Sequence, residues 1–166
     1  MSADDVLIVL DALDKTGVRV WLDGGWGVDA LLGEQHRDHD DVDIVVELDD
    51  LDAVVTALGE CGYGVAEDFR PTRLVLRSRG DKHVDVHPVT FDKAGTGWQI
   101  AAGPDGMDCP YPESGFTTGS IASREVGCLA AELQVEHHRG YEPHEADRHD
   151  MKLLCEAFGV ELPHGY

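Results

Sequence analysis

Positive charge is what this chain lacks most. Its 166 residues hold 13 Lys and Arg against 33 Asp and Glu, for a formal net charge of −20. A protein that tracks phosphates along a nucleic acid needs a basic face to release counterions, and an anionic membrane surface asks for the same. Both classes are therefore set aside: no nucleic-acid partner and no membrane are expected. Long apolar runs are also missing, so no membrane-spanning helix is expected. The start, Met1-Ser2-Ala3-Asp4-Asp5, is acidic and has neither the charged opening nor the apolar stretch of a secretion signal. The four cysteines, Cys61, Cys109, Cys128 and Cys155, form no C-x-x-C pair. Buried free thiols in a reducing cytoplasm are the expectation. No nucleophile elbow G-x-S-x-G and no phosphate loop G-x-x-x-x-G-K-[ST] occurs.

What is present suffices for a core. Hydrophobic residues make up 42% of the chain, so its acidity does not imply disorder. The length fits one compact domain with a helical appendage. Val6, Leu7, Leu10 and Leu13 recur at helical spacing between a Ser2/Asp5 cap and Gly17. Val18–Leu22 reads as a strand, 23–27 as a glycine-rich turn, and Val28–Leu32 as a short helix stopped by Gly33. Asp41–Glu47 alternates polar and apolar residues and reads as a strand. Residues 50–61 form a helix. Arg73–Arg79 and Lys82–Val89 are strands of a hairpin turning at Gly80-Asp81. Residues 92–119 read as loop with a few short strands, and 123–138 and 143–158 as helices, the second opened by Pro143 and closed by Gly159. Hairpin and crossovers together give an α+β fold: a mixed sheet with helices packed on it, then a helical C-terminal part. The expected division is a core over 1–100, with a loop and helical part over 101–166 packed onto it as one unit.

The chemistry concentrates in two strands. Side chains alternate faces along a strand, so Asp41 and Asp43 share one face while Val42 and Ile44 point the other way. Two carboxylates side by side repel unless a cation neutralises them, and oxygen pairs suit a hard ion such as Mg²⁺. In the second strand His83, Asp85 and His87 share a face. If the two strands are neighbours, Asp85 completes a cluster of three carboxylates, as two-metal phosphoryl chemistry requires. Gly24-Gly25 then has a use, because a backbone without Cβ atoms at a helix N-terminus can approach phosphate oxygens. Each feature alone has a plainer reading: a Gly-Gly turn, a solvated D-x-D face. His83-x-Asp85-x-His87 is also a geometry open to zinc. The four histidines of the last helices read as solvated. Arg148 and Lys152 could reach phosphates or pair with neighbouring acids.

Taken together, the residues resemble a known family. Gly-Gly, then Asp-x-Asp on a strand, then a later strand Asp is similar to the nucleotidyltransferase superfold of DNA polymerase β. Trp21-Leu22-Asp23-Gly24-Gly25-Trp26-Gly27-Val28-Asp29, Arg37-Asp38-His39-Asp40-Asp41-Val42-Asp43, Pro71-Thr72-Arg73 and Val84-Asp85-Val86-His87-Pro88 resemble the small lincosamide nucleotidyltransferases, with aminoglycoside nucleotidyltransferases next. Weaker likeness reaches Gly140-Tyr141 and the helix holding Asp147, Asp150 and Lys152. The resemblance covers about residues 5–155, most strongly 20–90, and leaves the loop 92–119 unmatched. It implies a polymerase β-like fold and a cytoplasmic, Mg²⁺-dependent enzyme that uses two ions. Such an enzyme would move a nucleoside monophosphate, AMP from the co-substrate ATP, to a hydroxyl of a lincosamide or aminoglycoside antibiotic. By the same resemblance Asp41 and Asp43 hold metal, and Asp85 shares a metal or takes the acceptor's proton. Gly24, Gly25, Arg37 and Arg73 contact the nucleotide, His87 orients Asp85 or lines the acceptor site, and a homodimer is expected. Rival readings are a nucleotidyltransferase acting on a protein or tRNA, and a module that keeps only the fold.

Overall fold

The computed structural model describes residues 1–139, 141–162 and 164–166, so Gly140 of the weaker likeness lies outside the described residues. In chain order the elements are α1 (Ala3–Asp14), β1 (Trp21–Asp23), α2 (Gly24–Leu32), β2 (Asp41–Glu47), α3 (Leu51–Glu60), β3 (Tyr63–Phe69), β4 (Arg73–Ser78), β5 (His83–Phe91), β6 (Gly97–Gln99), β7 (Cys109–Tyr111), β8 (Phe116–Ile121), β9 (Arg124–Leu129), α4 (Ala131–His137) and α5 (Glu145–Phe158). None of these helices is long and apolar enough to cross a membrane. The main sheet runs β3-β4-β5-β2-β1-β9-β8, with β6 and β7 joined at the end of β5. β2 and β5 pair in parallel, as do β1 and β9, while the other neighbours are antiparallel. The sheet is therefore mixed, as the interleaved hairpin and crossovers require.

Alternation along β2 and β5 divides the sheet into a packed face and a chemical face. Val42, Ile44, Val46, Val84 and Val86 point into one cluster with Val6, Val9, Leu10 and Leu13 of α1 and Val54 and Leu58 of α3. Each such side chain contributes roughly 1.5–3 kcal/mol when removed from water. That burial fixes the register of both strands, because a slip by one residue would bring the carboxylates into the core. The opposite face carries Asp43, Asp85 and His87 at its acidic end, then Val45 and Val89 in a smaller cluster with Tyr111, Leu129 and Leu133.

Several elements depart from the sequence expectation. α2 begins at Gly24, not Val28, because Asp23 caps it and accepts a 2.8 Å bond from the Gly24 amide. β3 was not expected. It is an edge strand, exposed from Gly64 onward, so only Tyr63 carries an inward signal. The expected helix 123–138 is instead β9 followed by α4. Ala122 and Ser123 take φ values of 48° and 69°, the paired left-handed turn of a two-residue hairpin joining β8 to β9. Within β9, a Cβ at Gly127 would lie 2.5 Å from the Val20 carbonyl oxygen, so close backbone approach accounts for the glycine. Among the cysteines, all four are free, but only Cys128 is buried and Cys61 is exposed.

Candidate active site

The parallel register of β2 and β5 sets Asp43 directly beside Asp85, and Asp41 beside His83. β1 runs antiparallel to β2 and sets Asp23 beside Asp43 on the other side. Three strands thus bring three carboxylates to one row. The ligand atoms of Asp43, Asp85 and His87 all lie within 4.8 Å of one another, close enough to share a cation. Asp41 is one pleat earlier on the same face and exposed. Its carboxyl titrates above the ordinary range, first through desolvation and then through the charges of Asp43 and Asp85. The donor set fits a hard divalent cation, which would relieve that repulsion.

Glycine lets α2 begin against these acids. Gly24 has φ of 56°, and a Cβ there would sit 2.3 Å from Oδ2 of Asp43. A Cβ on Gly25 would meet Nδ1 of His39 at 2.4 Å and Nη2 of Arg37 at 2.5 Å. The two glycines therefore bring the first amides of α2 to the carboxylates, where phosphate oxygens could reach them.

Both arginines expected at the nucleotide are engaged with acids. Arg73 grips Asp85, with Nε 2.9 Å from both carboxylate oxygens and Nη2 2.5 Å from Oδ2. Its guanidinium pKa is raised by that hydrogen bonding. Arg37 lies further off. Its Nε donates to both oxygens of Asp150 at 3.0 Å and its Nη2 to Oδ2 at 2.7 Å, tying the loop before β2 to α5. His83 faces Asp81, at 3.3 Å, and is not part of the cluster.

His87 is at the centre of a hydrogen-bonded row. Its Nε2 is 3.3 Å from Oδ1 of Asp43 and 3.9 Å from Oδ1 of Asp85. Burial works to lower its pKa, but Asp43, Asp23 and Asp85 outweigh burial and raise it. Behind it stand Gln99 and Tyr111, both buried.

The sequence reading missed the pairing of His137 with Asp23. His137, at the end of α4, places Nδ1 3.4 Å from Oδ2 of Asp23. It had been read as solvated with its neighbours, because the ends of β1 and α4 meet only in the folded chain. Burial works to lower the His137 pKa, yet the Asp23 and Cys109 contacts raise it to about 9. Burial likewise works to raise Asp23, but His137, His87 and the Gly24 amide leave it lowered. Asp29 is buried and serves structure, accepting from the His36 amide at 3.1 Å and lying 2.5 Å from Nε2 of His39. Trp26 is a core residue, 1% exposed. Arg148 donates to the Gly165 carbonyl at 2.7 Å, and Lys152 lies 3.9 Å from Glu156.

Above the row opens a cleft of about 880 Å³, lined by Asp23, Gly24, Asp43, Arg73, His87 and Gln99 on its floor. Residues 101–104 and 108–111 form one wall, and Glu136–Arg139 with Tyr141 form the other. Its size suits a drug-sized molecule. The loop 92–119, which the family resemblance left unmatched, thus supplies one side of the cleft.

The chain is similar to known proteins. The family model for aminoglycoside-2''-adenylyltransferase matches residues 5–154. A lincosamide resistance protein of Staphylococcus haemolyticus is 32% identical over 154 residues, spanning 93% of this chain and 94% of its own. A 2''-aminoglycoside nucleotidyltransferase of Escherichia coli is 32% identical over 135 residues, spanning 76% of this chain and 67% of its own. The crystal structure of a lincosamide antibiotic adenylyltransferase with lincomycin bound superposes with a TM-score of 0.81 at 32% identity, covering 91% of this chain and 94% of that one. ANT(2'')-Ia in complex with adenylyl-2''-tobramycin shares the fold, with a TM-score of 0.74 at 22% identity over 95% of this chain and 89% of its own.

Proposed function

The chain belongs to the aminoglycoside-2''-adenylyltransferase family and is a nucleotidyltransferase; on that premise we propose that it transfers AMP from ATP, with magnesium, to a hydroxyl of a lincosamide antibiotic. One observation carries the reading. Asp43 and Asp85 are register partners on parallel strands, beside a helix whose first two residues are Gly24 and Gly25, at the floor of a cleft of about 880 Å³. Two relatives carry lincosamides in their names, and each spans nearly the whole chain.

Asp43 and Asp85 would hold the metal, with Asp41 beside them. Bound there, magnesium would neutralise the triphosphate and stabilise charge on the leaving oxygen. The first amides of α2 would receive phosphate oxygens. Arg73, already on Asp85, would stand at the same anion. The acceptor hydroxyl oxygen forms its bond to the α-phosphorus as the bond from that phosphorus to the bridging oxygen breaks, and pyrophosphate departs. The hydroxyl proton passes to Asp85 or to solvent. Positioning and charge neutralisation supply most of the rate.

The test is a panel of lincosamides and aminoglycosides incubated with the protein, ATP and Mg²⁺, read by the mass of the drug. Gain of one AMP on a lincosamide is expected. Modification of aminoglycosides alone would favour the second reading, which the matching family model supports; an unmodified panel would sink both. Asp43→Asn should lower turnover by more than the ~10–100-fold that loss of an outer-shell partner costs a metal site. Unchanged turnover would refute the metal assignment.

A further inference from the structure

His87 stands among the candidate metal ligands, yet the hydrogen bonds behind it decide a different role. Gln99 Nε2 lies 2.8 Å from the Thr72 carbonyl oxygen and 3.3 Å from Nδ1 of His87. The Tyr111 hydroxyl donates to Gln99 Oε1 at 2.7 Å. A backbone carbonyl can only accept, so the Gln99 atom facing Thr72 must be the NH₂ group. Gln99 is 5% exposed and Tyr111 2% exposed, so water does not offer the amide another orientation. The same NH₂ group then faces Nδ1, which must accept. In neutral imidazole the proton accordingly sits on Nε2, which points at Oδ1 of Asp43, 3.3 Å away.

We propose that Tyr111 and Gln99 are positioning residues that lock His87 in its Nε2–H tautomer, so that His87 donates a hydrogen bond to Asp43 and is not itself a metal ligand. A ring that bound metal through Nε2 would have to carry its proton on Nδ1, against the Gln99 NH₂ group. Metal-binding histidines have the reverse arrangement, with the distal N–H given to an acceptor. The donor at Nε2 occupies one oxygen of Asp43 and thereby orients the carboxylate. It also keeps the site all-oxygen, the preference of magnesium, where a nitrogen ligand would favour zinc or cobalt. Nothing behind the ring accepts from Nδ1, because the Gln99 NH₂ group occupies that side. The inference deepens the proposed metal-dependent site and rests on that reading for its effect on metal choice.

Two measurements test it. Long-range ¹H–¹⁵N correlation spectra of the metal-free protein report the tautomer directly. An unprotonated Nδ1 and a protonated Nε2 are expected in the wild type. Gln99→Glu places an acceptor behind the ring and should move the proton to Nδ1. Tyr111→Phe, a gentler change should the first not fold, removes the donor to Oε1 and leaves the Thr72 carbonyl as the amide's remaining anchor, so a minor Nδ1–H population should appear beside the Nε2–H form. A protonated Nδ1 in the wild type, or no response in either variant, overturns the proposal. The second measurement is Co²⁺ binding followed by electron-spin-echo detection of nitrogen. The wild type should show no histidine nitrogen on the metal. Gln99→Glu should gain one, with Co²⁺ affinity rising ~10-fold or more relative to Mg²⁺. Histidine ligation in the wild type overturns the proposal. If the wild type binds neither Co²⁺ nor Mn²⁺, the metal reading falls, and the spectra of the metal-free protein alone decide the tautomer.

Discussion

At the scale of single residues, the site is a balance of charges held at short range. Gly24 is the tightest point. Its φ of 56° disfavours any side chain, and a Cβ would lie 2.3 Å from Asp43 Oδ2. Gly24→Ala should therefore destabilise the fold by ~1–3 kcal/mol and displace Asp43, so that turnover falls further than stability explains. Thermal melts alongside initial rates check this; a variant with wild-type turnover would show that Asp43 has room to move. The Asp23–His137 pair has a pH signature. The histidine's folded value of about 9 stands above its ordinary 6.5, so its stabilisation is complete below pH ~6.5 and lost as pH rises through about 9. Melting temperature should fall more between pH 7 and 9.5 in the wild type than in His137→Gln, and parallel curves would dismiss the ion pair. The D-x-D, the Gly-Gly pair and the third aspartate were legible because strand alternation and family likeness act on neighbours in sequence. Asp23–His137 and Gln99–His87 were not, because each joins residues from separate strands or a strand and a helix.

At the scale of elements, one ion pair docks the C-terminal helix. Asp150 is 3% exposed and takes three contacts from Arg37, which is itself tied to the loop before β2. Removing one partner of a buried pair costs ~3–5 kcal/mol; here the arginine keeps some water, so the lower end applies. Asp150→Asn should thus lower the urea midpoint and loosen α5, seen as faster amide exchange there than in α1. Equal exchange in both helices would refute the docking role. In this structure Arg37 bonds Asp150 and so holds the site's frame. Capped helices were readable: Ser2 with Asp5 opens α1, and Gly159 at φ of 69° ends α5. β9 was not, because Val126, Leu129 and Leu133 fit helical spacing until the hairpin turn at Ala122-Ser123 is seen.

At the scale of the molecule, the net charge of −20 works against a triphosphate and for an acceptor bearing amines. Exposed charges are screened over ~8 Å at physiological salt, so this field is adjustable while the local ion pairs are not. Raising salt from ~20 to ~200 mM should lower the KM for ATP and raise it for an amine-bearing acceptor. Steady-state kinetics at both salts decide it, and a KM for ATP that rises would place a basic approach path on the protein. Composition alone determined this long-range field, and alternation along β2 and β5 determined which residues face the core and which face the chemistry. Both follow from local rules of chain geometry and charge. Tertiary structure decided the rest: that Arg73 rests on Asp85, that Arg37 serves α5, that His137 neutralises Asp23, and that Gln99 sets the proton on His87. Those contacts depend on which elements meet, and meeting is settled by packing the whole core at once.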